Sequence, residues 1–137
     1  MKTTTLKIEF TDEQICDLLC NAFEGGSDYW IDNADIELGD NDVNPNEKFD
    51  AEYHTGTPSY LRAPFCTNGF VAIQYGSEEG ENKTAKLDRA AIEKGLQLMA
   101  TTEDGKQHFA DWLAGNDDAT TGDVFLQLCV LGEIVYG

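Results

Sequence analysis

Gly69-Phe70-Val71-Ala72-Ile73-Gln74-Tyr75, the acidic turn over residues 76–82 that follows, and Leu87-Asp88-Arg89-Ala90-Ala91-Ile92 form the stretch that decides the fold. Phe, Val, Ile and Tyr suit the pleated, half-buried surface of a strand. Glu78, Glu79 and Glu81 crowd the turn. Asp88 then stands where an N-cap belongs, and Leu87 before it is spaced to pack on Ile92 as a hydrophobic staple. Ile92, Leu96 and Met99 continue the buried face, and residues 101–105 end the helix. A strand and a helix of such different period within one stretch call for a mixed fold.

Upstream, residues 3–10 alternate. Leu6, Ile8 and Phe10 fall on one side and Lys7 and Glu9 on the other, the period of a half-buried strand. Thr11 and Gln14 make a capping box that predicts a helix over about 12–24. Ile15, Leu18, Leu19, Ala22 and Phe23 form its apolar stripe, and Gly25-Gly26 stops it. Ser27-Asp28-Tyr29-Trp30-Ile31 begins another strand, and residues 60–62 predict a short one. Downstream, a short helix carries His108, Phe109, Trp112 and Leu113, and Gly115-Asn116-Asp117-Asp118 is a turn. A last helix over about 120–131 buries Val124, Phe125, Leu128 and Cys129. Gly132 breaks it, and Glu133-Ile134-Val135-Tyr136 predicts a final strand. The order β-α-β-β-α-α-α-β implies an α+β domain over 1–137, with a small, mostly antiparallel sheet packed with about four helices.

Charge narrows the function. Twenty-six Asp and Glu against nine Lys and Arg give −17. Such a molecule repels nucleic acid, anionic membranes and acidic substrates, and it attracts basic surfaces such as the DNA-binding channels of other proteins. No apolar run approaches the roughly 18–20 residues that cross a bilayer, and Met1-Lys2-Thr3-Thr4-Thr5-Leu6-Lys7 lacks the apolar stretch of a signal peptide. A cytoplasmic location is expected, and with it four unpaired cysteines, Cys16, Cys20, Cys66 and Cys129.

Residues 32–52 concentrate the acidity: Asp32, Asp35, Glu37, Asp40, Asp42, Glu47, Asp50 and Glu52 stand against Lys48 alone. Poor periodicity, Gly39 and Pro45 predict a long loop with room for a short edge strand. B-DNA presents one negative charge per roughly 1.7 Å of axis, so a ridge of this kind has the charge to occupy a Lys/Arg groove. Tyr29 and Trp30 precede it and are residue types that anchor interfaces and also fill cores. The expected partner-binding residues are therefore Tyr29, Trp30, Asp32, Asp35, Glu37, Asp40, Asp42 and Glu47.

Other constellations are weaker. Asp40-Asn41-Asp42-Val43-Asn44 matches the start of an EF-hand loop, but Pro45 stands where glycine is needed and Ala51 where the bidentate Glu belongs. Cys16 and Cys20 share one side of the first helix, and with His54 and Cys66 they are the obvious ligands of a metal-binding alternative. Their spacing matches no metal motif, so neither metal nor cofactor is expected. His108 with Asp111 is the acid-base pair that a hidden enzyme would use, yet no nucleophile motif accompanies it, and no catalytic residue is expected.

Three blocks carry a resemblance. They are Leu18-Leu19-Cys20-Asn21-Ala22-Phe23-Glu24-Gly25-Gly26-Ser27-Asp28-Tyr29-Trp30, Leu87-Asp88-Arg89-Ala90-Ala91-Ile92-Glu93-Lys94-Gly95-Leu96, and His108-Phe109-Ala110-Asp111 with Asp117-Asp118-Ala119-Thr120-Thr121-Gly122-Asp123. Together they resemble a family of small acidic proteins encoded by phages, prophages and mobile elements. That resemblance implies a setting, the bacterial cytoplasm, and no mechanism. Gly25-Gly26-Ser27-Asp28-Tyr29-Trp30, Asn68-Gly69-Phe70 and Asp88-Arg89-Ala90-Ala91 are also similar to runs in the ArdB/KlcA antirestriction proteins. Here Ser27-Asp28 is inserted in the first run and a glycine is missing from the second. The phage setting implies a counter-defence protein: a non-enzymatic inhibitor, of anti-CRISPR or antirestriction type, whose partner is a host nucleic-acid-binding protein or defence nuclease complex, without direct contact to nucleic acid or membrane. The alternative is a protein that sequesters a metal or small molecule.

Overall fold

The computed structural model describes residues 1–37 and 59–137. In chain order its elements are α1 (Asp12–Asn21), which runs into a wider turn over Ala22–Gly26, and β1 (Ile31–Glu37). A short helical turn (Ser59–Arg62) and a tighter one (Ala63–Phe65) lead to β2 (Phe70–Tyr75). The tight turn Ser77–Glu79 leads to β3 (Lys83–Leu87), and then α2 (Arg89–Thr101), α3 (Glu103–Leu113) and α4 (Ala119–Val130) follow. The fold is α+β, four helices against a three-stranded antiparallel sheet of order β1-β2-β3.

Side-chain caps set the helix starts. Thr11 and Gln14 form the expected capping box (Gln14 N to Thr11 Oγ1 3.2 Å, Thr11 N to Gln14 Oε1 2.8 Å). Asp88 accepts the amide of Ala91 at 2.8 Å, Thr102 that of Gly105 at 3.1 Å, and Asp118 that of Thr121 at 3.0 Å. Each cap gives an orphan N–H of the first turn an oxygen, which is why chain direction changes at these residues.

α4 is the centre. Residues 121–129 are all buried, so this helix is enclosed on every side. It packs against α1, α2, α3 and β3. Two glycines let it be approached closely. A Cβ at Gly122 would stand 2.6 Å from Cβ of Asn21 and 2.7 Å from the backbone N of Ala22, and a Cβ at Gly95 of α2 would stand 2.2 Å from Sγ of Cys129. The sheet turns Val71, Ile73 and Leu87, each 0% exposed, toward the helices. Its inner rows are Ile36-Val71-Leu87 and Ala34-Ile73-Ala85, and its outer rows are Asn33-Gln74-Thr84 and Asp35-Ala72-Lys86.

Three local expectations are corrected. Residues 3–10 form no strand, because no strand edge meets them among the described residues; only Phe10 is packed, stacked on Trp112 at 4.4 Å, while Leu6 and Ile8 stay largely in solvent. Residues 60–62 are helical, because Leu61 is drawn into the core and its carbonyl accepts Sγ–H of Cys16 at 3.1 Å. Residues 133–136 form no strand, for a reason given below. The short edge strand for which the acidic stretch left room is β1. β3 was not expected: Lys-Thr-Ala-Lys-Leu is exposed along most of its length and buries only Leu87. Among the described residues, no helix is long and apolar enough to cross a membrane.

The close crossing of α1 and α4 makes a prediction. Gly122→Val should lower the urea midpoint, with a cost of about 1–3 kcal/mol or more for overpacking against backbone. A variant as stable as the parent in urea unfolding followed by circular dichroism would show that the two helices do not meet as described.

Candidate functional site

The Gly25-Gly26-Ser27-Asp28-Tyr29-Trp30 run becomes a turn pressed against the start of α4. A Cβ at Gly26 would lie 2.2 Å from the carbonyl oxygen of Ala119, so only glycine passes there. Backbone bonds from Ser27 N to Ala22 O (2.9 Å) and from Trp30 N to Ser27 O (3.2 Å) close the turn. The closed turn aims three side-chain donors at one carboxylate. Ser27 Oγ and Trp30 Nε1 donate to Asp123 Oδ1 at 2.8 and 2.7 Å, and Tyr29 OH donates to Asp123 Oδ2 at 2.6 Å. Gln127, one turn along α4, adds Nε2 to Oδ2 at 3.1 Å.

Gln127 also holds the end of the chain. Its Oε1 accepts the amides of Val135 and Tyr136 at 2.8 and 2.9 Å, and its Nε2 donates to the carbonyl of Tyr136 at 3.1 Å. The side-chain amide thus takes up backbone groups that a neighbouring strand would otherwise have bonded, and residues 133–136 do not join the sheet. Tyr136 in turn stacks on Trp30 (5.4 Å, 7° between planes), and Tyr75 meets Trp30 edge-on at 5.9 Å.

These contacts sort the two aromatic residues expected at an interface. Trp30 is 5% exposed and belongs to the core. Tyr29 is 48% exposed, with its hydroxyl tied down beneath. Its phenol is pushed up to about 12, first by loss of solvent and then by its hydrogen bond to Asp123.

From Trp30 the chain enters β1, and there Asp32 makes the second connection. Its Oδ2 accepts the amide of Ser77 at 3.0 Å and its Oδ1 accepts the Ser77 hydroxyl. This ties the acidic turn before β3 to the acidic strand. Asp35 and Glu37 are exposed on β1, and Glu78, Glu79 and Glu81 are exposed on the turn. Glu81 pairs with Lys83 at 2.8 Å, half in solvent. Glu79 helps to raise the Tyr136 phenol, after the larger effect of its lost hydration. Asp32 and the carboxylates of the turn thus gather at the end of the sheet near Tyr29 and Tyr136, while Asp35 and Glu37 stand farther along β1 opposite Ala72 and Phe70; exposed carboxylates of this kind accept hydrogen bonds from guanidinium or ammonium groups. Across the sheet the charge changes sign, since β3 carries Lys83 and Lys86, the latter over the Phe70 ring at 4.3 Å.

Of the expected site residues, Asp32, Asp35 and Glu37 come together on β1, with Tyr29 just before it. Asp40, Asp42 and Glu47 lie outside the described residues, as do His54 and the Asp40–Asn44 segment. Glu78, Glu79 and Glu81 were visible as an acidic turn, but only the pairing of β1 with β2 brings them beside it. The other expected constellations disperse. Cys16 bonds Leu61, and the Cys66 thiol reaches the carbonyl of Arg62 at 3.5 Å. Burial pushes the Cys129 thiol well up, while burial and then Glu24 and Asp17 raise that of Cys20. No group of three or more His, Cys, Asp or Glu side chains converges among the described residues. Asp111 accepts Nε2 of Gln107 at 3.1 Å, one turn back on α3.

Two outcomes follow. Asp123→Ala leaves the Ser27, Tyr29, Trp30 and Gln127 donors without their acceptor, so chemical unfolding should show a loss of about 3 kcal/mol or more; a loss below about 1 kcal/mol would mean the carboxylate is incidental. The raised Tyr29 pKa has a definite sign. The neutral phenol is the bonded form, so its stabilisation is complete below the ordinary value of 10.0 and is lost between there and about 12. Phenolate absorbance titration should show a component near 12 that Tyr29→Phe removes; an unchanged titration would contradict the bond. No family model matches the chain, and neither a curated protein nor a solved structure matches it.

Proposed function

We propose that this protein works by binding, without catalysis, as an inhibitor that lays its acidic face in the Lys/Arg groove of a nucleic-acid-processing protein. The observation that carries this reading is the Asp32–Ser77 connection, which fastens the acidic turn to the start of the acidic strand β1. A net charge of −17 adds long-range attraction to a basic partner and repulsion from DNA and RNA themselves. The resemblance to small phage-encoded acidic proteins supplies the setting, defence nucleases of the restriction or CRISPR type as targets.

Occupying such a groove releases the counterions that DNA would otherwise displace, so binding should weaken steeply with salt and compete with DNA. Asp35, Glu37, Glu78 and Glu79 are the residues to reverse, because none of them bonds Asp123 or Gln127 and only Glu79 touches a residue of that network, through the Tyr136 hydroxyl. Asp32 and Tyr29 have structural bonds and would confound the test. Against a panel of purified restriction and CRISPR nucleases, the parent protein should block DNA cleavage by at least one. The fourfold Lys variant should need about tenfold more protein or greater for the same block, with unchanged unfolding. Inhibition that survives both the reversal and raised salt would remove the acidic face from the account, and no inhibition across the panel would remove the target class.

A further inference from the structure

We propose that two copies of this chain exchange their first residues, each laying its arm along the open edge of β1 in the other. This goes beyond the inhibitor reading and draws on two of the same carboxylates, Asp35 and Glu37, so a dimer would hold them from a basic partner. Residues 3–9 have the alternation of a strand, yet they pair with nothing among the described residues. Leu6 is 83% exposed and Ile8 54%. Apolar side chains left in solvent in a regular pattern mark a surface awaiting a partner. Phe10 fixes the root of the arm through its stack on Trp112, and the Thr11 cap stops the helix from running back into it.

β1 offers the complementary half. It pairs with β2 on one side, and among the described residues its other side is open. An added strand would continue both faces of the sheet, since alternate side chains point to opposite faces. On the inner face Leu6 and Ile8 would extend the row that ends at Ile36, itself 38% exposed. On the outer face Lys7 would stand beside Asp35 and Glu37, replacing its present pairing with Glu9, which at 84% and 77% exposure is worth little. Lys2 and Lys7 make the arm a basic segment of an acidic molecule, and β1 carries only carboxylates.

In its own chain the arm lies on helices and not on β1. It runs along α2 and α3, sharing a groove with Leu96, Ala100 and Phe109, and α2 follows directly from β3 at the opposite side of the sheet. The β3 edge is the wrong acceptor, because Lys83 and Lys86 would repel Lys7. Mutual exchange uses each arm and each edge once, so it closes at two copies.

Sedimentation equilibrium of the full chain decides the matter without any nuclease present. The parent should reach a dimer as concentration rises. The double variant Leu6→Asp, Ile8→Asp should remain a monomer with parental circular dichroism. Lys7→Glu should raise the dimer Kd about tenfold, and adding Asp35→Lys should restore most of that loss. The charge swap decides even if the double variant misfolds. A parent that stays monomeric, a dimer indifferent to Lys7→Glu, or an assembly that grows past two copies would each overturn the exchange, the last pointing to acidic β1 edges on basic β3 edges instead.

Discussion

The Asp123 carboxylate, set in a helix that is otherwise enclosed in apolar contacts, is the constraint on which the rest of the structure depends. A carboxylate 6% exposed is costly to bury unless donors surround it. Here Ser27, Tyr29, Trp30 and Gln127 all supply one, and three of those come from a turn of four residues nearly a hundred positions away in the chain. The network therefore selects one conformation of that turn. Low local polarity strengthens each bond and makes any missing one expensive, which is how buried polar groups specify a unique arrangement. Gln127 carries the same restriction to the end of the chain through its bonds to Val135 and Tyr136.

From that point the surface follows. The turn fixes Trp30, Trp30 is one residue from β1, and β1 delivers Asp32 to Ser77. The exposed carboxylates of the strand and of the turn are thus carried on a backbone held from beneath. A charged face on a rigid support loses less conformational entropy on binding than the same charges on a loose segment. Tyr29 shows the design in one residue, with its hydroxyl anchored on Asp123 and its ring half in solvent. Among the described residues β1 has one side that no strand pairs with, and residues 3–9 have the pattern to use it.

Much of this was legible in the sequence where the signal is local. Thr11 with Gln14 and Asp88 with Leu87 announced their helices because capping depends on residues three or four apart. Val124, Phe125, Leu128 and Cys129 announced a buried helix. The strand assignments went wrong where alternation was read without its partner: residues 3–10 anchor only Phe10 on α3 and meet no strand among the described residues, and residues 133–136 are held by a side-chain amide. β3 was hidden because an edge strand with lysines looks like solvent-exposed turn. Asp123 itself gave no sign. It stands within a resemblance block, but its donors lie at the far end of the chain, and only packing reveals that an acid in an apolar helix has four hydrogen bonds.

The most direct measurement of this account is hydrogen exchange by NMR on the parent protein, followed at the Trp30 indole N–H and at the amides of Val135 and Tyr136. A single clasp organised by Asp123 and Gln127 predicts that all three protons exchange together, at the slow rate set by global unfolding, although two of them sit beside the end of the chain. Fast exchange of the indole proton, or a tail that exchanges freely while the core stays protected, would contradict it.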